Sequence, residues 1–106
     1  MLVRMVMGRG RKSVADHILE KFKDEPMGPE DCYLVMYDFE LGEDDVISPR
    51  FFSNLRRITS RLGDGEREQY SVIKCTYPKT THVLKALAEH YGCSQIKIYR
   101  VVEVKS

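Results

Sequence analysis

The fold of this chain is decided by the stretch CYLVMYDFEL at residues 32–41. Aromatic and aliphatic side chains dominate it, and its only early charge is Asp38, which is typical of a β-strand. A nearly continuous apolar run of this kind predicts a central strand that is covered on at least one face. We therefore expect the rest of the domain to assemble around this strand.

Downstream of this strand, the sequence alternates between helical and extended patterns. Ser48 as an N-cap and Pro49 at the first position mark the start of a helix that Gly63 ends, and Thr80 or Thr81 marks the start of another. The predicted elements are a helix over about 49–62, a strand over about 67–76, a helix over about 81–91 and a strand over about 95–104. The order predicts an α+β domain with one small antiparallel sheet and its helices on one face.

One face or edge of such a sheet stays open, and small proteins commonly cover it by forming dimers. The 106 residues suit a single domain. With 42% hydrophobic and 31% charged residues, the chain is too apolar to be disordered.

The first 30 residues form an extension ahead of the domain at 31–106. Residues 2–7, LVRMVM, are a short strand or an apolar arm, and GRGRKS follows as a basic turn. Ser13 and Asp16 have the spacing of a capping box, which predicts a helix over about 13–23. Two prolines and a glycine in residues 24–31 indicate a linker.

The N-terminal seven residues carry Arg4 and lack the apolar core and cleavage site of a signal peptide. No apolar run approaches the roughly 18–20 residues that a transmembrane helix needs. These features favour a cytoplasmic protein without a membrane partner.

Charge is strongly segregated along the chain although the net charge is only +1. Residues 24–45 carry nine acidic and no basic side chains, whereas residues 46–106 carry eleven basic and five acidic ones. A neutral total can therefore conceal a basic face and an acidic face, which permits a polyanion partner.

The cysteines and histidines do not have metal-ligand spacing. Cys32, Cys75 and Cys93 are far apart and contain no CxxC pair, so we expect reduced, apolar side chains. A disulfide is the alternative and would be typical of a hyperthermophile. The three histidines are expected at the surface.

Three segments together resemble a known family. They are YLVMYDF at residues 33–39, QYSVI at 69–73 and IKIYRV at 96–101. Their order and spacing are similar to those of the Cas-two family, the small CRISPR-associated proteins of the spacer-adaptation machinery. The resemblance covers residues 32–104, whereas the family normally begins at its first strand.

The resemblance implies a ferredoxin-like sandwich, a homodimer and association with RNA or DNA. It also implies metal-dependent phosphodiesterase activity in some members and a purely structural role in others. By the same resemblance, Asp38 is the catalytic residue and binds Mg²⁺ together with its symmetry mate. Mg²⁺ takes oxygen ligands and keeps several waters, so two carboxylates suffice. The alternative is that Asp38 faces solvent at the end of its strand.

Two groups of basic residues are candidate nucleic-acid contacts. Arg50, Arg57 and Arg61 share one side of the predicted helix over 49–62, where Arg56 also lies, and arginine binds phosphate oxygens well. The alternative is a solubilising surface whose arginines pair with the acidic loop that follows Asp38. The second group, in the basic turn, consists of Arg9, Arg11 and Lys12.

Two hypotheses of different classes follow. The first is a Cas-two-like homodimer that binds nucleic acid and cleaves phosphodiester bonds with Asp38 and Mg²⁺, as an endonuclease. The second is a non-catalytic ferredoxin-like homodimer that binds a protein partner through its surface or its N-terminal arm. Salt-dependent binding to an oligonucleotide discriminates between them.

Overall fold

The strand expected from residues 32–41 forms as Tyr33–Asp38, in the middle of a four-stranded sheet. The computed structural model describes residues 12–39, 47–102 and 104. In chain order the elements are α1 (Val14–Lys21), β1 (Tyr33–Asp38), α2 (Pro49–Leu62), β2 (Glu66–Gln69), β3 (Val72–Cys75), α3 (Pro78–His90) and β4 (Gln95–Arg100).

The strands lie in the order β2-β3-β1-β4, and every neighbouring pair is antiparallel. Val35 of β1 faces Ile73 of β3 on one side and Ile98 of β4 on the other. The α+β class and the small antiparallel sheet are therefore confirmed. The arrangement is compatible with a ferredoxin-like fold.

Side-chain alternation along β1 separates a covered face of the sheet from an open face. Val35 and Tyr37 are buried, whereas Met36 and Asp38 are exposed. Buried residues of all three described helices share one core with Val35, Tyr37, Ile73 and Cys75. The helices therefore pack on the covered face, and Met36 and Tyr99 of the open face are 40% and 46% exposed.

The expectation of a single strand over 67–76 is wrong, because the chain turns at Tyr70 and Ser71 to form the β2–β3 hairpin. All of β2 is exposed, while Ile73 and Cys75 of β3 are buried. The polar residues of β2 suit an edge strand, and the apolar alternation that marks an inner strand begins only after the turn.

Two predicted helix starts have different outcomes. The capping box of α1 is confirmed, since Ser13 accepts a hydrogen bond from the Asp16 amide and Asp16 accepts one from the Ser13 amide. The prediction that Thr80 or Thr81 caps the third helix is wrong. Pro78 stands at its first turn, where a missing amide hydrogen is tolerated, and both threonines are buried.

The cysteines behave as expected. All three are free thiols, and Cys75 and Cys93 are buried in the core. Burial raises the pKa of the Cys75 thiol to about 12, so this side chain acts as a small apolar residue. Among the described residues, no helix combines the length and apolarity needed to cross a bilayer.

Candidate nucleic-acid interface

Helix α2 is the most basic element of the described chain. It contains four arginines and no acidic residue over Pro49–Leu62. Ser48 caps it by accepting a hydrogen bond from the Arg50 amide, and Gly63 ends it with a left-handed φ of 64°. Phe51, Leu55 and Ile58 are buried, so the arginines on the remaining sides face solvent.

Aromatic packing anchors the start of α2 against the sheet. The Phe51 ring centroid lies 5.2 Å from that of Tyr37 and 5.8 Å from that of Tyr91 in edge-on geometry. Such contacts hold the helix at a defined position on the covered face. They place the first turn of α2 next to the last residues of α3.

Arg50 and Arg57 line one shallow groove of about 500 Å³ together with Lys12 and His90. The groove lies where α1 and α2 begin and α3 ends. Within the described ranges, neither Arg50 nor Arg57 has an ion-pair partner. Two helix N-termini and four side chains that can carry positive charge therefore meet in one surface depression, which favours phosphate.

Arg61 differs from the other arginines of α2 because it pairs with Asp16 of α1. Hydrogen bonds from Ser13 lower the pKa of Asp16, and the charge of Arg61 lowers it further. The Arg61 side chain is still 54% exposed. Arg61 thus joins α1 to α2, and it also borders a shallow surface with Arg56 and Arg57.

Of the three predicted contacts in the basic turn, the structure describes Lys12. Arg9 and Arg11 lie outside the described residues. Lys12 is exposed and precedes the N-cap of α1.

His90 was expected only as a surface histidine, and its place in the groove depends on the packing of α3 against α1 and α2. No local spacing in the sequence could have shown this.

Asp38 lies on the open face of the sheet, away from the arginines of α2. It is the last residue of β1 and pairs with Gln95 of β4. Both line a shallow cleft of about 400 Å³ that also contains Met36, Ser71 and Lys97. Among the described residues, the Asp38 carboxylate has no hydrogen-bond or ion-pair partner, and only its main-chain oxygen accepts a bond, from the Cys93 thiol at 3.2 Å.

Among the described residues, Asp38 is the one acidic side chain that lines this cleft. No group of three or more His, Cys, Asp or Glu side chains suitable for a metal occurs in the described part of the chain. Glu40, Glu43, Asp44 and Asp45, considered as further ligands, lie outside that part. A Mg²⁺ site at Asp38 therefore requires further oxygen ligands, either from the acidic residues that follow it in the sequence or from a second copy of the chain.

The tyrosines at positions 37, 70 and 99 have different environments, and Tyr70 lies in the turn between β2 and β3. Tyr37 is buried, its hydroxyl donates to the main-chain oxygen of Tyr70 at 2.7 Å, and burial raises its pKa. It is therefore a core residue. Tyr70 and Tyr99 are 60% and 46% exposed, and only these two are accessible for stacking on a base.

Comparisons of the chain with protein-family models, with curated proteins and with solved structures found no match.

Proposed function

We propose that the protein binds nucleic acid through the basic surface of α2, which we define as Lys12, Arg50, Arg56, Arg57 and Arg61. In this proposal it acts as a ferredoxin-like homodimer similar to the Cas-two family. The observation that carries the proposal is the groove in which Arg50 and Arg57 lie without ion-pair partners in the described chain. A phosphodiester backbone supplies the negative charge that this groove lacks.

Helix electrostatics favour the same partner. The first turn of α2 contains Arg50 and no acidic residue, although the positive end of a helix dipole is stabilised by negative charge. A bound phosphate would supply that charge and would also accept hydrogen bonds from the arginine side chains. A solubilising surface would not require cations at this end of the helix.

The competing interpretation is that the arginines pair with acidic residues of the chain. Among the described residues it accounts for Arg61 alone of the α2 arginines, and the acidic residues at 40–45 lie outside the described part. The partner of Arg61 is Asp16, and the other ion pairs of the described residues lie elsewhere. Arg100 of β4, for example, pairs with Asp31 at a distance of 3.5 Å. Within the described part of the chain, Arg50 and Arg57 thus have no acidic partner that would compete with an external anion.

The test is fluorescence anisotropy with labelled single-stranded RNA and DNA over a range of salt concentrations. Each lost phosphate contact should reduce the slope of log affinity against log salt by about 0.7. Arg50→Gln and Arg57→Gln are expected to reduce the slope and weaken binding. Arg100→Gln is the matched control, because it removes the same charge from a strand on another surface.

Equal losses for Arg57→Gln and Arg100→Gln would show a general charge effect and contradict a site on α2. Absence of binding at low salt would reject the proposal altogether. RNA and DNA of the same sequence in parallel titrations would identify the preferred polymer.

The catalytic part of the proposal concerns Asp38. Two copies of this exposed carboxylate at the open face of paired sheets would hold Mg²⁺, which stabilises phosphate charge and activates water when bound. Support comes from the position of Asp38, which lines an open cleft together with Lys97. Lys97 would attract the phosphate of the substrate.

Asp38→Asn is expected to abolish Mg²⁺-dependent cleavage while circular dichroism, dimer mass and oligonucleotide affinity stay unchanged. Asp31→Asn is the control, since Asp31 is an exposed carboxylate outside the cleft that pairs with Arg100 and accepts a hydrogen bond from the Cys32 amide. Cleavage that persists in purified Asp38→Asn would remove Asp38 from the reaction.

The second candidate function is a non-catalytic module that binds a protein. The observation in its favour is the apolar content of the open face, where Met36 and Tyr99 are exposed, and of the segment after β4, where Val102 is 70% exposed. The N-terminal arm expected to take part lies outside the described residues. This candidate predicts no salt-dependent binding to oligonucleotides.

A further inference from the structure

A pocket of about 360 Å³ lies between α2 and the β2–β3 hairpin, separate from the groove described above. Its apolar floor is formed by Leu55 and Ile73, which are 4% and 1% exposed. Arg56 and Arg67 border it, and both are exposed. An apolar floor beneath two cations is suited to a flat ring that carries hydrogen-bond acceptors and an attached negative charge.

Arg67 is held in place by aromatic rings. Its guanidinium carbon lies 4.9 Å from the Phe52 ring centroid and 5.6 Å from that of Tyr70. The strand register shifts between Arg67 and Gln69, and such irregularities redirect side chains at sheet edges. Arg67 has no ion-pair partner among the described residues, so an oriented and unpaired cation borders the pocket.

The wall of the pocket is shaped by close contact between Gly65 and Thr59. Gly65 has a φ of +113°, and a Cβ atom there would lie 2.5 Å from the Thr59 Cγ2 atom and 3.7 Å from the Ile73 Cγ2 atom. The Thr59 hydroxyl donates to the main-chain oxygen of Arg56 at 3.2 Å. Only glycine permits this approach, so the shape of the pocket depends on the connection between α2 and β2.

The pocket is continuous with the basic surface of α2. Arg56 lines the pocket and also borders the shallow surface that contains Arg57 and Arg61. A backbone that follows these arginines therefore passes the mouth of the pocket.

We infer that this pocket binds one unstacked nucleobase of a single strand whose phosphates lie on the basic surface of α2. The inference rests on the proposed function and specifies its substrate class as single-stranded nucleic acid. A base in a duplex is paired and stacked, and it would have to be extruded to enter the pocket. The floor contacts the ring, while Arg56 and Arg67 donate to its acceptors or to the adjoining phosphate.

The direct test uses protein with carbon-13 labels in the leucine and isoleucine methyl groups, titrated with uridine monophosphate. The methyl signals of Leu55 and Ile73 should shift with the nucleotide and stay in place with inorganic phosphate. Arg67→Met, which keeps an apolar stem beside the rings, should weaken the nucleotide at least about tenfold. Arg100→Met should change the nucleotide affinity less than about twofold, because Arg100 lies on β4 and is part of neither the pocket nor the basic surface of α2.

Methyl signals that do not move with the nucleotide would overturn the inference. Shifts of equal size with benzoate would overturn the assignment to a base and indicate a small aromatic carboxylate.

A comparison of two ligands with the wild-type protein tests the inference even if Arg67→Met fails to fold. The wild-type protein is titrated with two single strands of equal charge, one with bases and one with an abasic backbone. Weaker binding of the abasic strand supports the pocket.

Equal binding of the two strands, with dependence on Arg57 retained, would overturn the pocket and leave the proposed function standing. Methyl shifts with uridine monophosphate but no binding of either strand would contradict the proposed function instead. The absence of strand binding would also overturn the single-strand part of the inference.

Discussion

Asn54→Ala is expected to destabilise the protein far more than a surface substitution on the same helix. Asn54 lies on α2 and is 8% exposed. Its Oδ1 atom accepts a hydrogen bond from the Ala15 amide at 3.1 Å, and its Nδ2 atom donates to the Arg50 main-chain oxygen and to the Tyr91 hydroxyl. One side chain thus joins α1, α2 and the residue after α3.

The expected magnitude follows from the groups left without partners. The Ala15 amide is one of the first-turn amides that have no partner within their own helix, and Ala15 is 0% exposed. A buried donor without a partner costs about 1–3 kcal/mol. The Tyr91 hydroxyl is reached by water and adds less, so we expect a total loss of about 2–3 kcal/mol in the free energy of unfolding.

Urea denaturation followed by circular dichroism measures this loss, and the melting temperature should fall by roughly 10 °C. Ser53→Ala is the matched control. The Ser53 hydroxyl is exposed and donates only to the Pro49 main-chain oxygen, so this variant should stay within about 0.5 kcal/mol of wild type. If Asn54→Ala is as stable as wild type, Asn54 does not hold α1 in the core and the reasoning fails.

Two further predictions concern the connection between α2 and β2 and the start of α1. Gly63→Ala should cost about 1 kcal/mol for its left-handed backbone, because nothing lies within 4 Å of the added atom. Gly65→Ala should cost at least about 2 kcal/mol, because its Cβ would meet Thr59 at 2.5 Å; equal urea midpoints for the two variants would contradict the described contact. Hydrogen bonds from Ser13 and the charge of Arg61 lower the pKa of Asp16, so ionised Asp16 stabilises the fold above its unfolded pKa of about 3.9. This stability is lost as pH falls through the lower folded pKa. Below about pH 4, wild type should therefore lose stability more steeply than Asp16→Asn in acid titrations of the unfolding free energy, and parallel curves would disprove the linkage.

Local signals in the sequence were sufficient for the elements whose ends they mark. Ser48, Pro49 and Gly63 predicted α2 with its observed bounds, because capping groups act on amides and carbonyls within one turn. The capping box of Ser13 and Asp16 predicted the start of α1 for the same reason. The basic character of α2 was also evident, since it depends only on which residues the helix contains.

The predicted strand over 67–76 shows that local sequence signals were not sufficient to place a chain reversal. The alternation of buried and exposed residues over 72–75 marks β3, whereas the polar residues of β2 give no equally clear sequence signal of where the chain reverses. The turn at Tyr70 and Ser71 follows from the hydrogen bonds of β3 to β1, whose partner residues lie about forty positions away in the chain.

The sequence by itself determined the central strand, the arginine-rich helix and the helix caps, because each depends on neighbours within a few residues. Tertiary structure alone decided that Arg61 pairs with Asp16, that Arg67 lies against Phe52 and Tyr70, and that Asp38 lies on the face opposite to α2. Packing brings together residues from distant parts of the chain, so charge partners and pocket walls do not appear in any sequence spacing. For that reason the sequence predicted the basic residues of a nucleic-acid surface, while the groove and the pocket emerged only when the helices and the hairpin were packed on the sheet.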